Sequence, residues 1–168
     1  VDPSTGLAYN VVHADNTAGA GDGTYESPFA TLAGAEAASA VGDIIYVAGG
    51  DGTDTGYDTG ITLKDNQQLL SGGDGQFLPV QDGTLLSLSG KPGTSKATIS
   101  NSGGNQVVRL ANNNTVGGIT IDAAGANYGV FGAGVDGGTF NGTMISGATL
   151  DGIGLQAVTG DWRFANNV

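Results

Sequence analysis

Gln106-Val107-Val108-Arg109-Leu110, Tyr128-Gly129-Val130-Phe131-Gly132 and Asp151-Gly152-Ile153-Gly154-Leu155 are three versions of one phrase. The steps from Val108 to Val130 and from Val130 to Ile153 are 22 and 23 residues. Second markers keep nearly the same interval, 23 from Ile121 to Met144 and 24 from Phe140 to Phe164. An apolar period of this size, filled with short alternating runs and broken by Gly and Asn, predicts the coils of a solenoid. No coil buries its apolar face alone; each needs the coils above and below it.

Within a coil the alternation assigns faces. In Val107-Val108-Arg109-Leu110 and Gly118-Ile119-Thr120-Ile121-Asp122 it places Val108, Leu110, Ile119 and Ile121 inside and Arg109, Thr120 and Asp122 outside. Asn112-Asn113-Asn114, Gly117-Gly118 and Gly137-Gly138 supply corners, being residues that tolerate tight or left-handed backbone. The expected fold is all-β, a parallel β-helix of about 22–24 residues per coil. A β-sandwich with regular turns is the competing reading, but its strands have no reason to keep one period.

Composition agrees. The chain has 168 residues, enough for one domain with a real core. It holds 32 glycines against 5 lysines and arginines, a turn-rich profile poor in the long charged side chains that decorate exposed helices. A net charge of -11 leaves no basic patch for phosphates, so neither nucleic acid nor an anionic membrane surface is an expected partner. There is no cysteine for disulfides or thiolate metal sites, and no apolar run long enough to span a bilayer. The first residue is Val1, which is expected of a processed chain or a piece of a longer one.

Two regions are expected, residues 1–42 with an N-terminal strand, loop and capping helix, and residues 43–168 with the coils. Tyr9 to Ala14 reads as a strand with Tyr9, Val11 and His13 on one face. The helix is expected to open with Ser27 as N-cap and Pro28 at its first position and to end at Gly42. It would cover the open apolar end of the stack. Ile44 to Val47, Ile61 to Leu63 and Gln68 to Leu70 are core strands. Ser71 to Gln81 loosens into an excursion with a small apolar foot, and Leu85 to Leu88 and Ala97 to Ile99 return to strands around a turn at Lys91-Pro92-Gly93. The 47 residues from Ile61 to Val108 are read as two coils with an insertion.

A family resemblance rests on particular residues. Gly21-Asp22-Gly23-Thr24-Tyr25-Glu26-Ser27-Pro28-Phe29-Ala30-Thr31-Leu32, followed by Gly42-Asp43-Ile44-Ile45-Tyr46-Val47, resembles the opening of the right-handed parallel β-helix, or pectate-lyase-like, superfamily. Asp151 to Leu155 and Trp162 to Asn167 look like repeats of β-helical passengers in large bacterial surface proteins of the inverse-autotransporter type. The resemblance implies a right-handed helix and an extracellular or bacterial cell-surface location. It fixes function poorly, because the superfamily holds lyases, hydrolases, adhesins and phage proteins.

The residues themselves speak against an enzyme. Polygalacturonase-like hydrolysis needs clustered aspartates, yet Asn114-Thr115 is followed by Val116, no Asp-Asp pair occurs, and the sole histidine, His13, lies ahead of the coils. Arg109 and Arg163 could serve one sheet as β-elimination bases, but each reads more simply as a solvated outward side chain. Asp51, Asp54 and Asp58 offer oxygen ligands on a flexible loop, a candidate calcium site without EF-hand spacing. The plainer reading is an acidic solvated loop, and no other cofactor is called for. Tyr25, Tyr46, Tyr57, Tyr128 and Trp162 appear scattered for sugar stacking, while Phe131, Phe140 and Phe164 are assigned to the core.

After Trp162-Arg163-Phe164 the sequence offers no second helix to close the stack, which predicts apolar side chains and unpaired backbone groups at that end. The expected partners are further coils of a longer chain or other copies of this one, with surface glycans as a further candidate. The expected function is a non-enzymatic structural or adhesive β-helix, a stalk, a passenger segment or the subunit of a head-to-tail filament. The alternative is a protein that binds or degrades polysaccharide.

Overall fold

Val108, Val130 and Ile153, and Phe140 with Phe164, stack at one-coil intervals as expected in the computed structural model, which describes residues 1–3, 6–72, 76–88 and 95–168. Ile121 pairs instead with Ile145, one residue past the expected Met144, which faces outward beside Thr120. The chain is a parallel β-solenoid of about five turns with one short helix. The elements in order are β1 (Val11–Ala14), α1 (Leu32–Ala38), β2 (Ile44–Val47), β3 (Ile61–Thr62), β4 (Gln68–Ser71), β5 (Gln76–Pro79), β6 (Leu85–Leu88), β7 (Thr98–Ser100), β8 (Gln106–Arg109), β9 (Asn114–Gly117), β10 (Thr120–Asp122), β11 (Tyr128–Ala133), β12 (Asp136–Asn141), β13 (Met144–Ser146), β14 (Asp151–Gln156) and β15 (Thr159–Ala165).

Three parallel sheets wall the coils. A long sheet runs β1-β2-β4-β9-β12-β15, a four-stranded sheet β3-β8-β11-β14, and a three-stranded sheet β7-β10-β13. Their registers join Val108, Val130 and Ile153 in one column and Ile99, Ile121 and Ile145 in another. On the long sheet the inner column is Val12, Ile45, Leu69, Val116, Phe140 and Phe164. All but the last of these are buried. Each fully buried side chain of this size contributes about 1.5–3 kcal/mol.

The 47 residues from Ile61 to Val108 form one coil, not two. Ile61 pairs directly with Val108, and Leu70 with Gly117. The extra length falls between Ser71 and Ala97, at a point where the next coil has Gly118 and Ile119 adjacent. Ser71 Oγ closes the gap by accepting the Ala97 N–H at 2.8 Å. Leu85 to Leu88, expected as a coil strand, is instead β6, which pairs antiparallel with β5 in a hairpin outside the solenoid. The expected turn at Lys91-Pro92-Gly93 lies outside the described residues.

The hairpin has the apolar foot foreseen for it. Leu78 is buried with Ile44, Tyr46 and Leu70 in a second cluster, with Tyr9, Val11 and Leu88 packed around it. This cluster lies on the outward face of the long sheet, since its neighbours Ile45 and Leu69 point into the main core. The first strands are therefore apolar on both faces.

The helix is shorter than its expected span of Pro28 to Val41. Its N-cap is Thr31, whose Oγ1 accepts the Gly34 N–H at 3.1 Å, and its C-cap is Ser39. Residues before it are taken by the sheet: the Phe29 N–H donates to His13 O and the Asp15 N–H to Phe29 O, at 2.9 and 2.8 Å. With Phe29 thus held beside β1, Pro28 cannot be the first helical position. Leu32 and Ala35 point into the core, and α1 packs on β1, β2 and β3. Lys64 Nζ donates to the carbonyls of Glu36 and Ser39, and Gln67 Nε2 to Ser39 Oγ and Ala40 O at 2.9 and 2.7 Å.

The two ends of the stack differ. At the first, α1 packs on β1 and β3, the first strands of the long and the four-stranded sheets, and the loop from Gly23 to Phe29 hydrogen-bonds along β1. At the other, no strand among the described residues pairs with the far edges of β14 and β15. Val168 lies along the edge of β13, its N–H donating to Thr143 O just before the strand and its carbonyl accepting the Ile145 N–H, at 3.0 and 2.9 Å. Phe164 there is 50 % exposed, although Phe140 beneath it is fully buried.

Candidate functional site

Four of the 16 acidic side chains close turns of one kind. In Asp15-Asn16-Thr17, Asp22-Gly23-Thr24, Asp51-Gly52-Thr53 and Asp82-Gly83-Thr84, one carboxylate oxygen accepts both the N–H and the Oγ1–H of the threonine two residues on. These bonds favour the ionised form and hold the Asp22, Asp51 and Asp82 carboxyls below their ordinary range. The recurring Asp-x-Thr is visible in the sequence, and it accounts for one of the three candidate calcium residues, Asp51.

The candidate calcium residues are separated in their bonding. Asp51 Oδ1 also accepts from Asn16 Nδ2 at 2.8 Å, which ties the loop to the strand-to-helix segment. Asp54 Oδ2 accepts from Ser100 Oγ at 2.6 Å, and Asp58 is exposed. Between them Tyr57 turns inward, fully buried, with its hydroxyl accepting the Asn16 N–H at 2.8 Å. Among the described residues no three His, Cys, Asp or Glu side chains are grouped to hold a metal ion.

The residues weighed for catalysis are also apart. Arg109 stands on the four-stranded sheet and Arg163 on the long sheet, so the two do not serve one face. The Arg109 guanidinium lies over the Phe131 ring, 4.9 Å from its centroid. Phe131 therefore packs on the outward face and not in the core; Gly154 opposite it has no side chain, which leaves room for the Phe131 and Tyr128 rings. His13 lies between Tyr25 and Tyr46, with ring centroids 5.6 and 5.7 Å away. Its burial lowers its pKa, opposed in part by the charge of Glu26. Asn114 is buried and structural: its Oδ1 accepts the Ala111 N–H at 2.7 Å, and its Nδ2 donates to Lys64 O and Gln67 O at 2.8 and 3.2 Å.

A roomy concavity lies elsewhere, at the corner that leads into the long sheet. A groove of about 550 Å³ runs from Gly42 and Asp43 across Asn66 and Gln68 to Asn113 and Thr115, with Asp2 and Leu7 to Asn10 as its far wall. Its size falls in the range of small-molecule sites. Coil stacking builds the floor: Ile44 pairs with Gln68 and Gln68 with Thr115, so three coils at a spacing of about 4.8 Å present their side chains in file. Asn66 and Asn113 hold the corner with left-handed backbone, φ 61° and 54°.

The wall is fixed as well. The Asp2 N–H donates to Leu7 O at 2.8 Å, and the Tyr9 hydroxyl donates to Pro79 O of the hairpin at 2.7 Å. Burial, and secondarily the charge of Asp2, raises the Tyr9 pKa, so the phenol stays protonated as a donor. Asn10, Gln68 and Thr115 make no side-chain hydrogen bond to the described residues. Sequence reading found none of these three, because only the 47-residue register sets Gln68 beside Thr115. Compared with known protein families, curated proteins and solved structures, the chain matches none.

Proposed function

We propose that this chain is a non-enzymatic structural or adhesive β-solenoid of the bacterial surface, acting as a stalk or passenger segment. The observation that carries the reading is the inner column from Val12 to Phe164, buried along its length and open at its last member. The resemblance of the opening segment to the pectate-lyase-like superfamily, and of the later repeats to inverse-autotransporter passengers, supports the location.

The two ends favour the stalk over the head-to-tail filament. A filament needs each open end to meet an open beginning. Here α1 and the loop from Gly23 to Phe29 occupy the beginning. Copies that meet through the open end would close as pairs.

Light scattering across a concentration series, with electron microscopy, tests this. Pairs that form at high concentration and are lost in Phe164→Glu are expected. Long filaments of the intact chain would restore the head-to-tail version, and strict monomers would remove self-association. A polysaccharide-binding or polysaccharide-degrading protein is the second reading, its binding form favoured by the corner groove; release of unsaturated uronides from pectic substrates would establish an enzymatic form seated elsewhere on the coils.

A further inference from the structure

We infer that the corner groove is a binding site for a short neutral oligosaccharide, an inference that rests on the adhesive reading and gives that adhesion a ligand class. Sugar hydroxyls both donate and accept, and they are matched by side chains that do the same. Asn10, Gln68 and Thr115 line the groove with amide and hydroxyl groups not committed to the described residues, and the free Asn66 amide hydrogens add donors. Leu7 and Val41 at the rim are 69 % and 62 % exposed, an apolar surface for the C–H face of a sugar ring.

Charge selects within the sugars. Asp2 and Asp43 are the charged residues of the lining, and no lysine or arginine joins them. In a chain of net charge -11, an acidic saccharide would be repelled at this site. Geometry selects for an extended ligand, because the polar groups are set on successive coils along the groove. The site is held ready before binding: Tyr9 is bonded to the hairpin, and the Asp43 carboxylate to the Ala40 N–H at 2.7 Å, so little ordering cost remains.

The test is a nitrogen-15 NMR titration of the intact chain with maltotriose, cellotriose, chitotriose and trigalacturonate at millimolar concentration. At least one neutral trisaccharide is expected to give saturable shifts in the side-chain amides of Asn10 and Gln68, and trigalacturonate none. Gln68→Ala and Thr115→Ala should each weaken that binding roughly three- to tenfold, the loss of one neutral hydrogen bond, with an unchanged melting temperature. The inference is overturned if no neutral trisaccharide moves these signals, if trigalacturonate binds here as well, or if the variants bind normally. Sugar shifts confined to Tyr128 and Phe131 would sink this site and leave the adhesive reading standing. Absence of all sugar binding beside intact pairing through Phe164 would leave only the structural role.

Discussion

The ring of Phe164 lies flat on that of Phe140, with centroids 5.2 Å apart and planes 4° from parallel. The two are paired in register across β15 and β12, so this stack continues the inner column of the long sheet by one coil. Trp162 extends the same aromatic end. It lies over Gly138, where a Cβ would come within 2.7 Å of the indole, and its Nε1–H donates to Thr159 O at 2.8 Å.

Position in the column should decide what each phenylalanine is worth. Phe140→Ala leaves a cavity between packed coils and is expected to cost about 3–5 kcal/mol. Phe164→Ala removes a half-exposed ring and should cost about 1 kcal/mol. Urea unfolding of both variants measures the contrast. Equal losses would mean that the last coil is as tightly covered as the one beneath it.

The hairpin is an addition to a coil that is otherwise complete. Deleting residues 72–96 together with Ser71→Gly should reproduce the Gly118-Ile119 junction of the next coil. The shortened chain is expected to keep its β circular dichroism and a cooperative melt. It should lose about 2 kcal/mol for the burial of Leu78 and bind more of an apolar dye, since Ile44, Tyr46 and Leu70 become exposed. A chain that fails to fold would show that the hairpin is needed to nucleate the first coils.

His13 should make stability depend on pH in a window of its own. Burial holds its folded pKa below the ordinary 6.5, so the unfolded chain binds the proton more readily. Stability is then full above that value and is lost as pH falls toward the folded pKa, with a slope of at most about 1.4 kcal/mol per pH unit for one proton. Asp22, Asp51 and Asp82 act only lower, below their ordinary 3.8, where protonation breaks the turn bonds. Melting temperatures from pH 8 to pH 5 should fall for the native chain and stay flat for His13→Gln. An equal fall in both would remove His13 from the account.

The period of Val108, Val130 and Ile153 was enough to read the solenoid, its inward side chains and its Asn and Gly corners, because stacked coils must bury like residues at like intervals. A helix ahead of the first coil was legible from cap and stop signals, though it begins at Leu32 and not at Pro28, and a loose excursion after Ser71 was legible because it interrupts the period. What lay beyond one-dimensional reading was contact between segments with no shared interval. Phe29 bonds to β1 and so shortens the helix, the hairpin returns to cover Ile44 and Tyr46, and Phe131 turns outward beneath Arg109. The corner groove is of this kind, since Asn10, Gln68 and Thr115 share no local motif. Local alternation and spacing therefore determined the coil, and tertiary packing alone decided where its polar side chains meet, because only the coil register and the folded-back segments set distant residues side by side.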